Sequence, residues 1–133
     1  MGLADHYELA KRLKRMSGQH VQIQAGDPDW DTVMLFYSAL HLTSAYLLVV
    51  GSGVPKDHAA MARAISVRFE LDQRFRGAYK ALSEFSWNVR YNPGFVMSQA
   101  HKRVAADRFR IVKVFVEATV RDAIGLDPNI SEL

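Results

Sequence analysis

Between Trp30 and Val50 the sequence WDTVMLFYSALHLTSAYLLVV places apolar residues on almost every side of a helical period. A surface helix shows a single apolar stripe, so this pattern predicts a central helix enclosed by others. Its polar groups, Tyr37, Ser38, His41, Thr43 and Ser44, must then be satisfied inside the core or placed at a site. Before it, Leu9, Leu13 and Met16 recur at helical spacing among Lys11, Arg12, Lys14 and Arg15, predicting an amphipathic first helix over residues 4–17 that ends at Gly18. Asp27 is placed to cap the central helix and Pro28 to occupy its first position, where a missing N–H costs nothing.

Gly51-Ser52-Gly53 followed by Pro55 predicts the end of that helix. Asp57 then caps a third helix through HAAMARAISVRF, residues 58–69, with Ala59, Ala62, Ile65 and Phe69 on one side and Arg63 and Arg68 off it. Phe75, Ala78, Tyr79, Leu82, Phe85, Ser86 and Val89 step by three and four and define a fourth helix, stopped by Asn92-Pro93-Gly94. A fifth begins at Ser98 and runs to Ile124, closed by Gly125. Ala105, Phe109, Val112, Phe115, Val116, Thr119 and Val120 form its inward side, and Arg103, Arg110, Lys113, Glu117 and Arg121 are expected to face water. Residues 125–133 read as a frayed tail. With no strand-like alternation and no internal repeat, residues 1–133 are expected to form a single all-α domain, an up-and-down bundle of about five helices.

At 133 residues the chain can bury one core without staples, and it has no cysteine, which excludes disulfides, thiolate metal sites and cysteine nucleophiles. A net charge of +3 permits nucleotide or RNA binding but falls short of a strongly basic nucleic-acid binder. The N-terminal MGLADHYELAKRL has no basic segment followed by an apolar run, so the expectation is a cytoplasmic protein. The central run approaches the length of a membrane span, but its hydroxyls, tyrosines and His41 are costly in lipid, and no membrane role is expected.

The order of a basic first helix, Asp29-Trp30 leading into FYSALHLTSAYL, Lys56-Asp57-His58, Tyr79-Lys80-Ala81-Leu82, Ser86, Val89-Arg90-Tyr91 and Phe95 resembles the HEPN family, the nucleotide-binding helical domains of higher eukaryotes and prokaryotes. The resemblance spans residues 7–120. It implies a four- or five-helix scaffold, a homodimer, and a role as a ribonuclease toxin or as the partner of a nucleotidyltransferase in stress or defence. Catalytic members carry an arginine followed after four to six residues by a histidine near the start of the last helix. This chain departs from that pattern: Arg90 and His101 are too far apart, and the one literal match, Arg15 to His20, straddles the end of the first helix. The expectation is therefore a non-catalytic binding domain, with a metal-independent endoribonuclease and a purely structural dimerisation module as alternatives.

The residues that can carry chemistry each have a structural reading beside the functional one. His41 lies four residues after Tyr37 and three before Ser44, on one helix face, either lining a pocket as acid, base or phosphate ligand or held as a core histidine. His58, Lys56 and Arg63 open the third helix, where free N–H groups favour an anion, or else a capped helix with solvated charges. Arg90 and Tyr91, beside Trp87 and Asn88, suit base stacking and phosphate contact, or close their own helix. The ligand-binding candidates are thus Tyr37, His41, His58, Arg63, Arg90 and Tyr91, and His41, His58 and Arg63 the candidates for catalysis. The five histidines show no metal-ligand spacing, and no metal or cofactor is expected.

Overall fold

A computed structural model describes residues 1–19 and 29–125. Among them are five helices: α1 (Leu3–Ser17), α2 (Trp30–Val49), α3 (His58–Ser66), α4 (Gln73–Tyr91) and α5 (Gln99–Ile124). The central helix is α2, which packs on α1, α4 and α5, while α4 also packs on α5. Contact pairs give the directions. His6 meets His41 and Ser38 meets the Ala10 carbonyl, so contacts advance along α1 as they recede along α2. Phe85 meets His101 and Phe75 meets Phe115, which makes α4 antiparallel to α5, whereas Asp29 to Lys102 and Tyr46 to Phe115 advance together along α2 and α5. The four long helices therefore alternate up and down, and α3 lies in the crossing between α2 and α4.

Phe36, Ala39, Leu42, Ala45 and Leu47 of α2 are buried against Tyr7 and Ala10 of α1, Phe75, Ala78 and Leu82 of α4, and Phe109, Val112, Val116 and Val120 of α5. α2 is long and apolar enough to cross a membrane, yet 61% of its apolar window is covered inside the protein. Its hydroxyls are satisfied where they lie: Thr43 Oγ1 donates to the Ala39 carbonyl at 2.8 Å and Ser44 Oγ to that of Leu40 at 3.0 Å, while Ser38 Oγ reaches the Ala10 carbonyl of α1 at 2.8 Å.

Local capping follows expectation at Asp57, Ser98, Gly51 and Gly125, and Asp72 adds a cap at the start of α4. Asp57, Asp72 and Ser98 accept from the backbone N–H three residues on, and Gly51 and Gly125 close α2 and α5 in the left-handed region at φ 77° and 65°. Gly18 ends α1 at φ −91°, so no left-handed residue is needed there. The start of α2 differs from expectation. Asp29 caps it through Thr32 N and Trp30 is its first residue; Asp27 and Pro28 lie outside the described residues, as do residues 126–133 of the expected tail.

Three faces depart from simple periodicity. In α1 the buried residues are His6, Tyr7, Ala10 and Ser17, while Met16 is exposed, because small Ala10 lets α1 approach α2 closely enough for the Ser38 bond. α3 ends at Ser66 and buries Met61 and Ile65; Ala59 and Ala62 are exposed and Phe69 stands out in the following turn. Glu117 of α5 is only 3% exposed rather than solvated. Tyr7 Oη donates to it at 3.2 Å and Arg121 at 2.8 Å, and Lys113 lies 4.0 Å away, so its charge is compensated by three groups. Burial first, and then this carboxylate, push the Tyr7 phenol well above its ordinary pKa, which keeps it a donor.

Leu42 is fully buried at the centre of α2, so Leu42→Ala is expected to cost about 2–5 kcal/mol in urea unfolding. Val96→Ala, on an exposed residue, should stay within about 0.5 kcal/mol of the parent.

Candidate functional site

Tyr37 is the residue on which the site converges. It lies half-buried on α2, where Phe36 enters the core and leaves its neighbour facing the α3–α4 side. Arg90, in the last turn of α4, donates from Nε to the Ser86 carbonyl at 3.1 Å and from a terminal nitrogen to Tyr37 Oη at 3.2 Å. The first bond closes the helix end and the second carries the guanidinium across to α2. There it lies 5.6 Å from the Tyr37 ring centre and 5.0 Å from that of Tyr91, both within cation–π range. Tyr91 in turn packs on Trp87 at 5.6 Å, and both rings are exposed.

His58 joins from the third helix. As the first residue of α3, after the Asp57 cap, it sets its ring edge-on to Tyr37 at 6.0 Å and 5.8 Å from Phe36. Tyr37, His58, Arg90 and Tyr91, from three helices, are thus brought together. Arg63 is exposed and enters none of these contacts; Lys56 is exposed in the loop before α3.

His41, one turn along α2 from Tyr37, meets a residue that local spacing does not indicate. His6 of α1, 35 positions away, places its Nδ1 2.9 Å from Nδ1 of His41, with the rings stacked at 5.2 Å. Such a bond needs one Nδ1–H donor and one lone pair, so the acceptor is neutral. Burial lowers the pKa of both; the positive N-terminus lowers His6 further, opposed by Asp5, and His6 lowers His41. No local sequence signal marks this pair, which becomes legible only once α1 is known to cross α2 at Ala10. His41 is therefore both a satisfied histidine and a neighbour of the Tyr37 cluster.

The remaining candidates separate. His101 accepts from Ser98 N at 3.2 Å in a reciprocal cap of α5 and packs between Phe85 and Phe95, so it and Arg90 serve different contacts. Arg15 is exposed, and His20 lies outside the described residues. No three His, Cys, Asp or Glu side chains among the described residues are placed to hold a metal ion. The arrangement can present a fixed cation, two tyrosine rings and a tryptophan to a ligand that has both an anion and an aromatic face.

Comparison of the chain with protein-family models, with curated protein sequences and with solved structures returns no match in any of the three.

The histidine pair gives a pH dependence with a definite sign. Both folded values lie below the ordinary 6.5, so the unfolded chain binds more protons as the solution is acidified. The pair's contribution is complete above pH 6.5 and is lost as pH falls through the folded values. Urea midpoints measured from pH 8 downwards should fall below pH 6.5, and replacing both rings in His6→Phe/His41→Leu should flatten that part of the profile.

Proposed function

We propose that this chain is a HEPN-like helical binding domain, cytoplasmic, dimeric and non-catalytic, whose ligand is a nucleotide or RNA held at Tyr37, His58, Arg90 and Tyr91. The observation that carries the reading is the state of Arg90. Its guanidinium lies within cation–π range of two tyrosine rings, and among the described residues only two of its N–H groups are used, one on Ser86 and one on Tyr37. A phosphate can take the remaining N–H groups while a base stacks on Tyr91 or Trp87. The family-like order of helices and residues supplies the scaffold, and the engagement of Arg90 and His101 in different contacts supports a binding role over cleavage. A nucleotidyltransferase-type protein is the alternative partner, in a stress or defence setting.

A second reading, a metal-independent ribonuclease, is favoured by one observation: His41, four residues from Tyr37, is held towards the neutral form that a general base requires. RNA cleavage in chelator, lost in His41→Ala or His58→Ala with the fold intact, would establish it. Unchanged cleavage in both variants removes those roles. If neither ligand binding nor cleavage is found, a structural dimerisation module is what remains.

Binding is tested by titrating ATP and a single-stranded RNA oligonucleotide against the fluorescence of Trp87, which contacts Tyr91, in a Trp30→Phe background that removes the other tryptophan. Arg90→Ala is expected to weaken binding by about tenfold or more and to reduce its salt dependence. No binding of either ligand to the parent protein would remove the ligand part of the reading.

A further inference from the structure

The turn between α3 and α4 is built to stay in place. Leu71 is fully buried, its N–H donates to the Arg68 carbonyl at 3.2 Å, and Arg76 of α4 donates to the same carbonyl at 2.7 Å. Glu70 accepts from Tyr46 of α2 at 2.9 Å and from Arg68 Nε at 2.6 Å. Burial first, and then Glu70, push the Tyr46 phenol up to about 12, so it remains a donor throughout the physiological range. Between these braces Phe69 is 97% exposed and Val67 73%. A phenylalanine in water forgoes about 1.5–3 kcal/mol of burial, and a fixed loop holds it ready without further ordering cost.

Beside this knob lies a hollow of about 580 Å³ between the start of α4 and the middle of α5. Its apolar lining is Phe75, Ile111, Phe115 and Val114, the last 61% exposed. Asp72 of its rim follows Phe69 by three residues, so the Phe69 backbone lies within about 11 Å of that edge of the hollow. The other charges at the rim are Arg74, Asp107 and Arg110, and Asp107 pairs with Arg108 at 2.7 Å.

We infer that Phe69 and this hollow form a two-fold interface between copies of the chain, each Phe69 seated in the hollow of its partner. The inference rests on the dimeric part of the reading above and gives that dimer its surface. A knob and a hollow side by side on one molecule can meet their own images reciprocally about a two-fold axis, which closes the assembly at two. The rim carries two acids, Asp72 and Asp107, and two arginines, Arg74 and Arg110, so a copy brings both signs to it and an arginine of one can meet an acid of the other, whereas Asp72 and Asp107 oppose a polyanion or an anionic lipid surface.

Sedimentation from micromolar to millimolar concentration tests it with the whole chain. The parent protein should be a dimer, and Phe69→Ser and Val114→Arg, both on exposed residues, should each weaken it on the order of a thousandfold, because symmetry removes the contact twice. The discriminating sample is their mixture. A Phe69→Ser chain keeps its hollow and a Val114→Arg chain keeps its knob, so a heterodimer retains one contact and should form about thirtyfold more tightly than either variant alone. A parent dimer unaffected by one or both substitutions, or a mixture no tighter than the variants, overturns this interface while leaving dimerisation standing. A parent monomer at the highest concentration overturns both. Unchanged circular dichroism melts verify that the variants fold, and Val96→Ser, exposed elsewhere, should leave the dimer intact.

Discussion

A helix covered on most of its sides has little solvent face on which to place its polar groups, and that constraint on α2 organises the rest of the protein. Thr43 and Ser44 meet it by donating back to their own helix, at the cost of a carbonyl already engaged. Ser38 instead donates to Ala10, which fixes where α1 crosses. Tyr46 donates to Glu70 and thereby holds the turn that precedes α4. Tyr37 and His41 meet it at the edge of the core, through Arg90 and His6. Packing of α1, α4 and the connecting turn is thus specified by the hydrogen-bond needs of one apolar helix, as much as by its surface area.

Helix ends were the most legible part of the sequence because capping is local chemistry. Asp57, Ser98, Gly51 and Gly125 act over three or four residues, a range that can be read without knowing the fold. The amphipathic face of α4 was legible for the same reason. The inward face of α1 and the burial of Glu117 were not, since a small Ala10 and a distant Tyr7 decide them. In the site, the pairing of Tyr37 with Arg90 depends on two helices meeting, and residue type alone marked both as candidates. Arg63 had the same credentials and lies exposed apart from them; His6 had none and meets His41.

The residues that carry the family resemblance in α2 are mostly those that fill the core: Phe36, Ala39, Leu42, Ala45 and Leu47 are buried. A pattern of this kind speaks to how helices pack and says little about what they bind. The groups proposed to bind a ligand or a second copy lie instead at the margins of that pattern, where Arg90 closes α4 and Phe69 follows α3. Those two places are near opposite ends of α4, about 24 Å apart along its axis from Arg74 to Arg90, so a ligand and a second copy of the chain need not compete for one surface.

The bond from Tyr7 to Glu117 joins residues 110 positions apart. During synthesis α1 emerges long before the carboxylate that its tyrosine donates to, and the α2 face it covers is equally early. Until α5 follows, Tyr7 has no buried acceptor and the apolar sides of α2 assigned to α4 and α5 stay open to water. The contacts that join α1 and α2 to α5 are therefore non-local in sequence, and they can form only once α5 is present.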